Sequence, residues 1–161
     1  MSKADEAREL FVEGANCAQA VLLPFARECG LDRETALRLA AGFGGGMGRL
    51  REVCGALTGI FMVAGLLYGC SDFTDKDSKD AHYALIQDLA RQFKASTGTI
   101  ICRELLDLPE NQVDVPVSEA RTAEYYQKRP CADLVALGTR IMEEYIAIRH
   151  PGRRNAVDAD V

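Results

Sequence analysis

Residues 53–70 read VCGALTGIFMVAGLLYGC, eighteen residues without a charge. That is the lower edge of the length needed to span a bilayer. Arg49 and Arg51 precede the run and Asp72 follows it. Gly55, Gly59, Gly65 and Gly69 dilute its hydrophobicity, however, and the chain has no second segment of this kind. Small residues four apart suit a helix packed tightly against others. The stretch therefore reads as a central buried helix from about Glu52 to Tyr68, with no membrane span.

Helices are expected on both sides of it. Residues 3–13 place Ala4, Ala7, Leu10 and Phe11 on one face, Gly14 ends that helix, and Asn16 caps the next. The second helix, CAQAVLLPFARECG, carries Cys17, Val21, Phe25 and Cys29 at four-residue steps and stops at Gly30. Pro24 should kink it, because proline removes a backbone donor. Asp32 caps a third helix to about Ala41, and the glycine run of 42–48 breaks the chain before the central helix. After the polar loop SDFTDKDSKD, Asp77 or Ser78 is expected to cap a helix with the stripe Ala81, Leu85, Leu89 and Phe93. ICRELLDL is a short helix stopped by Pro109, and ENQVDVPV an extended connector. A helix follows near 118–127. The last runs from Cys131 to Ile148 with Leu134, Leu137, Ile141, Tyr145 and Ile148 on one side. No stretch alternates long enough to make a sheet. The fold class is all-α: one compact domain of about seven helices over residues 1–149, with a frayed tail at 150–161.

The 161 residues are 48% hydrophobic and 27% charged, with a net charge of −5. An acidic chain with scattered arginines lacks the basic face that nucleic acid requires. The start, MSKADEARELF, has no apolar leader, so a reducing, cytoplasmic location is expected. Six cysteines in such a compartment point to metal binding, catalysis or burial before structural disulfides.

Placed on these helices, the cysteines divide. Cys17, Cys54, Cys102 and Cys131 fall at or near expected helix starts, where free N–H groups and the helix dipole favour a thiolate. Cys29 and Cys70 fall at helix ends and read as packing. Within FGGGMG (43–48), Gly44, Gly45, Gly46 and Gly48 are expected to turn N–H groups inward as an anion-binding nest. Gly55 would let backbone approach the Cys54 thiol. The run is neither a dinucleotide fingerprint nor a Walker loop. There is no C-x-x-C pair, and the absence of C-x-x-C-H excludes covalent haem of the usual type. His82 and His150 stand alone, and no Ser–His–Asp or paired-carboxylate arrangement is present.

Asn16-Cys17, Phe43–Gly48, Cys54-Gly55-Ala56-Leu57-Thr58-Gly59, Cys102-Arg103-Glu104-Leu105 and Cys131 together resemble the redox-active protein family labelled C_GCAxxG_C_C. The resemblance spans residues 8 to 145, and CGALTG carries the family's CGAxxG element without departure. It implies redox involvement of Cys17, Cys54, Cys102 and Cys131, and a transporter-associated or electron-transfer partner. The haem of the related split-Soret cytochromes does not carry over, because their attachment motifs are missing.

Three functions follow from the residues. In the first, the four cysteines are redox groups, either ligating an iron–sulfur cluster or cycling as two dithiol pairs. In the dithiol form Cys54 is the expected attacking thiolate, activated by its helix start and by Arg49 and Arg51. In the second, the same thiolates hold zinc or copper(I) without redox turnover. In the third they merely pack. The exposed faces of the amphipathic helices also make a homodimer an expectation.

Overall fold

The computed structural model describes residues 1–150. The expected frayed tail therefore lies, apart from His150, outside the described residues. Helix α1 (Lys3–Glu13) opens on a capping box: the Asp5 N–H donates to the Ser2 hydroxyl and the Ser2 N–H to the Asp5 carboxylate. Gly14 closes it at φ 119°. Helix α2 (Cys17–Leu22) opens on a second box, with the Gln19 N–H on the Asn16 side chain at 2.9 Å and the Asn16 N–H on Gln19 at 3.0 Å.

α2 is shorter than its sequence pattern suggested. It gives way at Leu23–Phe25 to one turn of 3-10 helix, and irregular turns follow to Gly30. Proline at 24 has no N–H for the Ala20 carbonyl, so the ladder ends there instead of kinking and resuming. Cys29 thus lies beyond the helix.

Helix α3 (Arg33–Ala40) is capped by Asp32, whose carboxylate accepts from the Thr35 N–H at 2.9 Å. Next come α4 (Gly55–Tyr68) and α5 (Lys76–Thr97). The cap of α5 is Asp75, which accepts from the Ser78 N–H at 3.0 Å, so the helix starts earlier than expected. It also runs past Lys94 to Gly98, which takes φ 83°. Helices α6 (Cys102–Leu105), α7 (Ala123–Lys128) and α8 (Cys131–Arg149) complete the order. The segment ENQVDVPV has no regular structure, and α7 begins five residues after the expected 118. Among the described residues there is no strand, only an isolated antiparallel bridge between Val53 and Ile101.

α4 is the centre. Leu57, Ile60, Val63 and Ala64 are fully buried, among Phe11, Phe25, Leu89, Phe93 and Met142. Each buried large side chain contributes about 1.5–3 kcal/mol. Its bare stripe faces α2: a Cβ at Gly59 would lie 2.8 Å from the Cβ of Val21. On another side α8 makes room for α4, since a Cβ at Gly138 would lie 2.9 Å from the Ala56 carbonyl oxygen. The apolar run is therefore consumed by packing against helices. No helix among the described residues is long and apolar enough to cross a membrane.

Candidate functional site

Four chain segments meet where α2, α4, α6 and α8 begin. The bridge at Val53 and Ile101 pins two of these starts side by side: the Cys54 N–H donates to the Ile100 carbonyl at 2.8 Å, and the Cys102 N–H to Glu52 at 2.6 Å. The start of α2 lies against α4, because Gly55 faces Cys17; a Cβ there would be 2.9 Å from the Cys17 Cβ. Gly46 does the same for Cys102, at 2.5 Å. Cys131, the first residue of α8, is in hydrogen-bond reach of Cys17. Cys17, Cys54, Cys102 and Cys131 thus gather at helix starts within electrostatic reach of one another. All are free thiols; three are buried and Cys17 is partly exposed.

The two remaining cysteines stay apart from this group. Cys29 is half-buried, and desolvation pushes it up to about 11. Cys70 is exposed beyond the end of α4, its thiol on the Asp72 carbonyl at 3.5 Å.

The gathered thiols titrate very differently. Cys54 is the N-cap of α4, and the amides of Ala56 and Leu57 favour its anion, yet burial dominates and pushes it up to about 12. Burial also raises Cys102, against the opposing pull of Arg51, whose Nη1 lies 3.7 Å from its Sγ. Cys17 and Cys131 titrate as a pair, Cys17 raised well above the ordinary thiol value and Cys131 lowered to about 7. The hydrogen bond from Cys17 is the largest cause for Cys131, followed by the guanidinium charges of Arg129, Arg121 and Arg51. Cys54, the expected attacking thiolate, is therefore held protonated by its burial, and Arg49 and Arg51 pair with Asp114 and Glu119.

Those partners lie on the connector between α6 and α7. Asp114 is clamped by Arg51 Nε and, at 3.2 Å, by Arg49 Nη2. Glu119 bridges Arg49 at 3.3 Å and Arg129 at 2.5 Å. Arg121 donates to the Phe11 and Ala15 carbonyls and covers the Phe11 and Tyr125 rings at 4.5 and 4.9 Å. Arg51 is only 3% exposed. A guanidinium so far from water needs partners on every side. Here they are Asp114, Glu119 and the Cys102 sulfur. A cleft of about 350 Å³ beside Tyr125 and Arg129 opens from this network to solvent.

The glycine loop aims Arg51. After Gly44, five consecutive residues from Gly45 to Arg49 take positive φ between 62° and 67°, and Arg51 follows at 62°. This is one left-handed turn, a conformation that costs L-residues about 1–2 kcal/mol each. Glycine at 45, 46 and 48 removes that cost where it would otherwise accumulate. The far side of the turn is closed by its own backbone. The N–H groups of Gly48 and Arg49 donate to the Gly44 carbonyl, and those of Arg51 and Glu52 to Gly45 and Gly46. The glycines act here mainly by closeness. At Gly44 a Cβ would lie 2.6 Å from Asn16, just as Gly46 and Gly55 admit Cys102 and Cys17.

Arg121, Arg129, Asp114 and Glu119 have no motif to announce them. Arg129 alone carried a signal, two residues before Cys131. Among the described residues no group of three or more His, Cys, Asp or Glu side chains is placed to hold a metal ion.

The all-α fold thus gathers four free thiols from four helix starts beside a network of guanidiniums. The model of the family described as "Putative redox-active protein (C_GCAxxG_C_C)" matches residues 15–145, and the chain belongs to that family. No curated protein matches the chain, and no solved structure does.

Proposed function

We propose that the protein is a thiol–disulfide redox protein in which Cys131 is the reactive thiolate and Cys17 its partner. The reading is carried by the pairing of Cys17 and Cys131 at the first positions of α2 and α8, where Cys17 and the charges of Arg129, Arg121 and Arg51 lower Cys131 to about 7. A thiolate near neutrality beside a protonated thiol is the arrangement that exchange chemistry uses. In the first step the Cys131 thiolate attacks a substrate disulfide, forming a mixed disulfide and releasing one substrate thiolate. The Cys17 sulfur then attacks the Cys131 sulfur, its proton passes to the departing substrate thiolate, and the Cys17–Cys131 disulfide remains. Two protein thiols are oxidised and one substrate disulfide is reduced. A donor of the opposite sense, in an electron-transfer or transporter-associated partner, would reset the pair. Cys54 and Cys102, both protonated at neutral pH, form the reserve of the site.

Oxidation of the native protein with a small disulfide, followed by thiol counting and peptide mapping, tests this. A loss of two thiols and a peptide linking Cys17 to Cys131 is expected; a link through Cys54 or an unchanged count overturns it. The second reading, an iron–sulfur or soft-metal centre on all four cysteines, is supported by their convergence at helix starts, whose dipoles favour thiolate ligands. Metal and acid-labile sulfide content of protein purified without oxygen decides between them.

A further inference from the structure

At the opposite end of α4 from the thiols lies a cavity of about 670 Å³, between the last turn of α4, the first half of α5 and the last turns of α8. Fourteen residues of helix separate the two ends. At about 1.5 Å per residue that is roughly 20 Å, so the cavity is no part of the thiol site.

Its walls are aromatic and cationic. Tyr68 and Tyr145 meet edge to face at 5.4 Å, and His150 stacks on Tyr68 at 5.9 Å with ring planes only 9° apart. The Arg149 guanidinium stands 5.9 Å from the Tyr68 ring centroid and 5.8 Å from that of Tyr145. Arg149 makes no ion pair among the described residues. On the facing wall His82 also lines the cavity, and its Nδ1 is buried without a hydrogen-bond partner among the described residues. Buried ring nitrogens are rarely left without a partner. The imidazole is held over Gly65, whose added Cβ would lie 4.0 Å from Nε2.

We propose that this cavity binds a small planar aromatic molecule bearing one anionic group. The ring lies along the tyrosine faces, where flat π-systems pack best. The anionic group pairs with Arg149, which presents a planar fork of donors to a carboxylate. The His82 imidazole forms part of the wall against which the ring packs. The reading rests on a guanidinium with no ion pair among the described residues, set beside paired rings open to the same space. Asp88 at the rim is already paired with Arg91 at 2.7 Å and does not compete for Arg149.

The test uses the full chain and 2-naphthoate as probe, followed by backbone and side-chain NMR. The chain has no tryptophan, so quenching of tyrosine emission gives a second readout. Saturable shifts centred on Tyr68, His82, Tyr145 and Arg149 are expected. Arg149→Gln should weaken binding about tenfold, and 2-naphthamide should bind correspondingly more weakly. Cyclohexanecarboxylate, anionic but not planar, should also bind poorly. His82→Gln serves as the milder variant, with binding reduced and the helical circular dichroism unchanged. Absence of localised shifts at millimolar probe overturns the proposal, as do equal affinities of the three probes or an Arg149→Gln protein that binds as well as the parent.

Discussion

Cys54 and Cys131 are both buried, both at the start of a core helix, and both part of one gathering of thiols, yet they titrate in opposite directions. Cys54 has the better backbone environment, with two amides of its own helix turned to the sulfur. Cys131 has instead a thiol donor and three guanidiniums. The helix terminus therefore does not decide which thiol ionises in this molecule. Full charges and a neighbouring S–H outweigh partial charges once both sulfurs have left water.

That contrast can be broken in order of effect. The largest expected change is in the pH dependence of stability. Cys54 is raised from its ordinary 9.0 to about 12, so the folded protein holds its proton more tightly than the unfolded chain does. The contribution is complete below the unfolded value and is lost as pH rises from 9.0 towards 12. The loss is on the order of 4 kcal/mol. Denaturant midpoints measured across that window should fall steeply for the parent and less steeply for Cys54→Ala, in which the raised thiols of Cys17, Cys29 and Cys102 remain. Equal slopes would contradict the burial argument.

Next in size is Gly46→Val. The residue stands at φ 67°, and a Cβ there meets Cys102 at 2.5 Å and the Glu52 backbone nitrogen at 2.9 Å. Urea unfolding should show a loss of about 3 kcal/mol. Arg51→Leu follows. It leaves Asp114 with Arg49 and the Gln112 amide and removes the cation beside Cys102, and a loss of about 2 kcal/mol is expected. Its diagnostic readout is chemical: the thiols of Cys102 and Cys131 should both titrate higher, while Cys54 keeps its value. The smallest change is Arg129→Gln, which should leave stability nearly intact and raise Cys131 by about one unit. Alkylation rates across neutral pH, resolved by residue, would register it.

Much of the fold was legible because helices declare themselves locally. The stripes of α1, α5 and α8, the caps Asn16 and Asp32 and the glycine after α1 depend on neighbours in sequence. The placement of the four cysteines at helix starts was legible for the same reason. What was not legible depends on contacts distant in sequence. Asp114 reaches Arg51 across 63 residues, and Arg121 reaches the Phe11 carbonyl across 110. The local inference that Arg49 and Arg51 activate the nearby Cys54 could not foresee that, after the left-handed turn from Gly45 to Arg49, both side chains pair with Asp114 and Glu119 on the connector. Pro24 shows a milder version. Its missing donor was plain, but whether the helix would kink or stop depended on what lay beyond.

The central claim is that Cys131 carries the thiolate of this site. Ultraviolet thiolate absorbance of the reduced protein, titrated beside Cys131→Ser and Cys54→Ser, measures it without requiring a reagent to enter. The account predicts one thiolate per chain appearing with a midpoint near 7, absent from Cys131→Ser and retained in Cys54→Ser. A thiolate that disappears with Cys54 and survives the loss of Cys131 would contradict it.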